Sequence, residues 1–192
     1  MIPDWFNRDT PTTELAQNLI GCLLVHESDE GRCSGWIVET EAYLGFEDQA
    51  SHSYQRKQTP RLSALYQGLG VFYLYQMRGH ILINVVSGYP GQGTGVMIRA
   101  LEPYQGRDLM AQRRGKSGIL ISNGPAKLSQ ALGINMSYYG QSVQGPGLRI
   151  DFSQRLSYAK LGVGPRIGIP NKGEWTHKPL RYYIEGHPYL SK

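Results

Sequence analysis

Between Gly70 and Pro103 the chain reads GVFYLYQMRGHILINVVSGYPGQGTGVMIRALEP. No other stretch narrows the fold as much. Three runs rich in β-branched and aromatic residues, "VFYLY", "HILINVV" and "TGVMIRALEP", each have the length of a strand, with gaps short enough for turns. The first two form a hairpin about a short turn at Gly79. The glycine-rich "GYPGQGTG" is read as a turn feeding the third. The longest charge-free apolar stretch, Ile81 to Ile98, lies within this block. It contains Pro90 and four glycines, so it reads as strand, turn and strand and not as a membrane span.

Helical signals flank the block. "TPTTELAQNLIGCLL" offers Thr12 or Thr13 as a cap and Glu14 in the first turn, then Leu15, Leu19 and Leu23 at helical spacing. "YQGRDLMAQRR" and "PAKLSQALG" are also helical, the latter with Pro125 near its first turn and Gly133 as its stop. "RCSGWIVETEAY" is a further strand, and the last third mixes short strands with Gly/Pro turns. Hairpin strands with helices between them predict an α+β fold. At 192 residues with no interior linker, the chain is expected to form one domain, 1–192. The leading residues, about five to ten of them, are expected to be loose.

Twenty Lys+Arg against 15 Asp+Glu favour an anionic partner such as nucleic acid, though a mildly basic enzyme fits the same balance. The two cysteines, Cys22 and Cys33, form no CxxC pair, and "MIPDWFNRDT" has no basic start followed by an apolar run. A reducing, cytoplasmic setting is predicted. "RRGKSG" lacks the glycine a phosphate loop needs at position 110, which is Met110. The glycine-rich turn precedes a strand, where a dinucleotide fingerprint must open a helix. His26, His52, His80, His177 and His187 show no zinc-ligand spacing, so no metal is expected.

Against the basic average, Glu39 to Asp48 holds four acids and no Lys or Arg. On a strand, Ile37, Glu39, Glu41 and Tyr43 point one way, with neighbours about 6–7 Å apart, and Val38, Thr40 and Ala42 the other. A solvated outer face is one reading. Trp36, Ile37 and Val38 just before favour another, a buried strand entering a site, where each carboxylate needs a partner or a task. Arg99, set in an apolar strand, is the expected partner for one of the glutamates. In the hairpin Tyr73 and Tyr75 share a face. Asn84 is either a buried amide satisfied by backbone or a reader of a base edge.

"IVETEAY", then Glu47-Asp48, "SHS" and "QTPR", resemble the alkyladenine (3-methyladenine, methylpurine) DNA glycosylases. "GVFYLY", "NVV", "IRALEP", "GPAKLSQALGIN", "GPRIGI" and "GEWTHKPLRYY" continue the match in order over nearly the whole chain. The resemblance implies an α+β domain with a curved antiparallel sheet, a protruding hairpin and surrounding helices. It implies a monomer with no metal or redox cofactor. The implied activity is to flip damaged purines such as 3-methyladenine, 7-methylguanine or hypoxanthine out of double-stranded DNA and hydrolyse the N-glycosidic bond. Glu41 then matches the general base. Arg99 and the backbone carbonyl of Ile167 match groups holding the attacking water, and Tyr43, His52, Tyr75 and Asn84 match the base pocket. Where many members carry a tyrosine at the hairpin tip to fill the gap in the duplex, this chain has "YQMRGH", leaving Met77 or Arg78 for that work.

The chemistry fits these residue types. Positive charge develops on the sugar as the base departs. A carboxylate beside it stabilises that charge and takes a proton from water. Arg99 beside Glu41 is expected to favour the ionised form. No lysine stands at position 41, so no Schiff base and no strand cleavage are expected. Two other readings share parts of the pattern: a non-catalytic nucleic-acid-binding module of the same fold, and a carbohydrate hydrolase using Glu39 and Glu41 as paired acids.

Overall fold

The computed structural model describes residues 1–191. Its helices are α1 (Thr12–Leu19), α2 (Arg107–Arg114) and α3 (Pro125–Leu132). Its strands are β1 (Cys22–Ser28), β2 (Gly31–Tyr43), β3 (Phe72–Met77), β4 (His80–Ser87), β5 (Thr94–Gln105), β6 (Leu148–Arg155), β7 (Leu161–Gly164) and β8 (Arg181–Ile184). The fold is α+β, as the pattern predicts. All eight strands join one antiparallel sheet, in the order β3-β4-β5-β2-β1-β6, with β8 on β2 and β7 on β8. Among the described residues no helix is long and apolar enough to cross a membrane.

β2 is the axis of the sheet. Along one edge, residues 31–36 pair with β1, and Glu39–Glu41 pair with β8. The other edge pairs with β5 throughout. The change of partner coincides with two irregularities in the β2–β5 ladder. Ile37 faces Leu101 and Glu39 faces Ala100, leaving Val38 over on β2; Thr40 then faces Ile98, leaving Arg99 over on β5. Such bulges bend a strand and re-aim its side chains. Strict alternation consequently fails at one point: Ile37 joins Val38 and Ala42 in the main apolar cluster and does not share the face of the glutamates.

That cluster runs from Phe6 to Tyr189 and takes in α1 through Leu15, Ala16 and Leu19. Each fully buried leucine contributes roughly 1.5–3 kcal/mol of apolar transfer. The hairpin turn carries positive φ at both Arg78 (51°) and Gly79 (81°), the backbone a two-residue type I′ turn requires. α3 begins on Pro125 and ends at Gly133 with φ 74°, as expected.

Four sequence expectations need correction. Neither Thr12 nor Thr13 caps α1. Pro11 occupies the cap position, and the Thr12 hydroxyl is taken by Ser87 Oγ at 2.8 Å. Leu23 is not on the helix, because Gly21, at φ 85°, turns the chain into β1. Tyr104 and Gln105 belong to β5, with Gly106 at φ 69° opening α2. The leading residues are not loose throughout: Phe6 is buried, and Trp5 packs edge-on against Phe152 with centroids 5.5 Å apart.

Candidate active site

β2 places Glu39, Glu41 and Tyr43 toward one region, and both glutamates have no solvent exposure. The solvated-face reading is therefore excluded. Arg99 bridges the two carboxylates, where one partner was expected: Nε lies 3.0 Å from Glu39 Oε1 and Nη1 lies 3.2 Å from Glu41 Oε1. Glu41 Oε1 also accepts the Ile167 N–H at 2.7 Å, and its Oε2 accepts the Tyr43 phenol at 2.9 Å. Tyr43, Arg99 and Ile167 themselves line a cavity of about 330 Å³, within the roughly 300–1,000 Å³ of ligand pockets. Glu41 thus stands directly behind the wall.

The rest of the wall is aromatic. β3 contributes Tyr73 and Tyr75, whose rings stack at 5.8 Å. His52 meets Tyr75 edge-on at 4.5 Å and bonds the Tyr73 hydroxyl through Nδ1 at 2.8 Å. Its loop is fixed by close approach to the β4–β5 turn: Ser53 Oγ donates to the Gly93 carbonyl at 2.6 Å, and a Cβ on Gly93 would lie 2.8 Å from Ser53 Cβ. Asn84 is a buried amide bonded to backbone, the first of its two readings. Its Nδ2 donates to the Tyr73 carbonyl at 3.1 Å, and the residue lines the cavity. Met77, half exposed, stands at the cavity's edge, whereas Arg78 sits at the exposed hairpin tip and does not line it.

Burial sets the proton affinities. It pushes Glu41 above the usual carboxylate range; Arg99, the Ile167 N–H and the Tyr43 phenol pull the other way without cancelling it, and Glu39 adds to the rise. Arg99 favours the ionised form, as expected, but desolvation outweighs it. Tyr75 is pushed up to about 12, and Tyr43 rises far above its ordinary value, chiefly by burial and then by Glu41. His52 is lowered, first by burial and then by Arg61 and Lys57. At neutral pH the rings of Tyr43, Tyr75 and His52 are therefore neutral, and among the described residues Arg99 is the charged group in the wall.

Three site residues escaped the sequence. Arg166 and Asp48 form a fully buried bidentate pair, Nη1–Oδ2 2.6 Å and Nη2–Oδ1 2.8 Å, and the Arg166 guanidinium lies 4.7 Å over the Tyr43 ring. Arg181 Nη1 gives Glu39 a second cation at 3.3 Å. The available signal was the run of acids without local counterions: such acids, if buried, demand arginines from elsewhere in the chain. For Ile167 the structure shows the N–H, and not the carbonyl, in contact with Glu41.

A flat-walled cavity with a buried carboxylate behind it, carried on an antiparallel sheet, is a site of the class that can admit a planar ligand beside an ionisable group. Comparison with known proteins makes this specific. The chain belongs to the methylpurine-DNA glycosylase family, whose model, "Methylpurine-DNA glycosylase (MPG)", matches residues 4–188. It is 48% identical over 188 residues to a protein of Enterococcus faecalis V583, covering 97% of this chain and 82% of that one. It is 46% identical over 190 residues to one of Staphylococcus carnosus TM300 (98% and 91% covered). A Bacillus licheniformis protein is 47% identical over 190 residues (98% and 95% covered). All three carry the name "Putative 3-methyladenine DNA glycosylase".

Proposed function

We propose that this protein, acting as one monomeric domain, removes alkylated purines such as 3-methyladenine and 7-methylguanine from duplex DNA by hydrolysing the N-glycosidic bond. One observation carries the reading. Glu41 is buried directly behind the cavity wall, held by three residues, Tyr43, Arg99 and Ile167, that face the cavity.

In this reading the nucleotide turns out of the duplex and its base enters between Tyr43, His52 and Tyr75. Extrusion costs a few kcal/mol, less for a damaged base, and stacking returns about 1–3 kcal/mol per base. A ring-alkylated purine carries positive charge, which neutral phenols attract and a protonated histidine would repel; the lowered His52 suits such a ligand. Met77, apolar and half exposed at the cavity edge, is better placed than Arg78 to fill the gap in the duplex.

Water attacks the anomeric carbon as the bond to the base breaks. The bond's electron pair leaves with the base, Glu41 takes the water proton, and the sugar keeps the hydroxyl. Arg99 and the Ile167 N–H hold the carboxylate, and the Ile167 carbonyl is the proposed acceptor for the attacking water. Among the described lining residues there is no lysine to form a Schiff base, which supports release of the base without strand cleavage. The test is base release from defined duplexes carrying 3-methyladenine, 7-methylguanine or hypoxanthine, followed by chromatography of the free base. Release of the alkylated purines is expected. No free base from any of the duplexes would overturn the reading.

A further inference from the structure

The ion network behind the cavity does not stop at Arg99 and Glu39. Beyond β8 the chain folds back, anchored by the buried Tyr189, whose hydroxyl accepts from Arg107 Nη2 at 3.1 Å. The Tyr189 N–H reaches His187 Nδ1 at 3.3 Å, and His187 Nε2 lies 3.2 Å from Glu102 Oε2. These contacts deliver Ser191 into the network. Its N–H donates to Glu39 Oε2 at 2.7 Å and its hydroxyl to Glu39 Oε1 at 2.8 Å. The same hydroxyl accepts from Arg99 Nη2 at 2.9 Å and, more weakly, from Nε at 3.3 Å.

We propose that Ser191 is a positioning residue for the reaction: it satisfies Glu39 and the outer edge of Arg99, and so keeps the inner edge of the guanidinium on Glu41. The inference rests on the function proposed above. One guanidinium serves two carboxylates, with Nε on Glu39 and Nη1 on Glu41. Arg181 relieves Glu39 with a second cation, and Ser191 supplies two hydrogen bonds to Glu39 and an acceptor for Nη2. Without the hydroxyl, Glu39 Oε1 loses a donor and Nη2 its acceptor, so Nη2 turns toward Glu39 and Nη1 draws away from Glu41. Glu41 then loses part of the positive charge that opposes its desolvation. The groups facing Glu41 are Arg99 from β5, Tyr43 and Glu39 on its own strand, Tyr75 from β3 and the Ile167 N–H. Of these, Ser191 touches Glu39 and Arg99, and only Arg99 carries positive charge to Glu41.

Ser191→Ala removes the hydroxyl and keeps the backbone N–H; Ser191→Thr keeps both. Single-turnover base release at saturating enzyme is measured against pH for wild type and both variants, with lesion-duplex affinity and thermal midpoint alongside. Glu41 is titrated separately by carboxyl carbon NMR. The alanine variant is expected to release base about tenfold more slowly near neutral pH, the order for losing a hydrogen bond to a charged group. Its acid limb and its Glu41 titration both move to higher pH, duplex affinity is unchanged, and threonine restores all three. An unmoved Glu41 titration, or a loss of rate that threonine does not rescue, overturns the assignment of Ser191. Failure of wild type to release any alkylated base overturns the functional reading instead, and shows independently of the NMR titration.

Discussion

Two buried ion pairs stand on either side of Tyr43, and they are built differently. Asp48–Arg166 is closed around its carboxylate, with Arg166 Nε left without a partner among the described residues. Two parallel hydrogen bonds join the side chains, the Leu44 and Ala50 N–H groups donate to the carboxylate at 3.0 Å each, and Arg166 also donates to the Ala42 and Trp175 carbonyls. Glu41–Arg99 is open. The carboxylate shares its cation with Glu39, receives one N–H and one phenol, and is left more basic than usual by its burial. A buried acid whose lone pairs are matched is framework; one left short of positive charge is held close to exchanging a proton. Tyr43 joins the two, its ring beneath Arg166 and its hydroxyl on Glu41.

The sharpest test of that contrast is Glu41→Gln. In the proposed reaction it lowers single-turnover base release by about 10²- to 10⁴-fold, the range for a lost general base, while lesion-duplex affinity measured by anisotropy stays near wild type. Release at the wild-type rate would place the open pair outside the chemistry. Asp48→Asn should act mainly on stability. Leaving Arg166 buried with a neutral partner costs about 3–5 kcal/mol in urea denaturation. A variant as stable as wild type would erase the distinction between the pairs.

The third test is the acid limb of the wild-type rate. A raised Glu41 value means protonation begins at higher pH on acidification, so release falls through a midpoint above 4.5, the ordinary glutamate value. Below it the rate drops about tenfold per pH unit, as for one required ionisation. A midpoint at or below the ordinary value would mean that Arg99 outweighs desolvation after all. The smallest effect is expected across the cavity. Asn84→Ser frees the space beside Tyr73 and should raise excision of 7-alkylated or undamaged guanine a few-fold, about the value of one modest contact. Unchanged rates would remove Asn84 from base selection.

The hairpin turn at Gly79 and the bounds of α3 were legible in the sequence because each depends on neighbours: alternation in the strands, a proline that tolerates a first turn, a glycine free to take positive φ. The α1 cap was misread because Thr12 spends its hydroxyl on Ser87, a residue distant in the chain. Asp48 finds Arg166 across 118 positions and Glu39 finds Ser191 across 152, pairings no local pattern encodes.

By itself the sequence determined strands β2 to β5, the face that carries Glu39, Glu41 and Tyr43, and, through the order of its motifs, the family. Tertiary structure alone decided that Arg99 serves both glutamates, that burial outweighs it at Glu41, and that Arg166, Arg181 and Ser191 complete the set. The physical reason is range. Backbone preference acts over a few residues, whereas desolvation and charge pairing depend on which distant segments the fold brings to the same few ångströms.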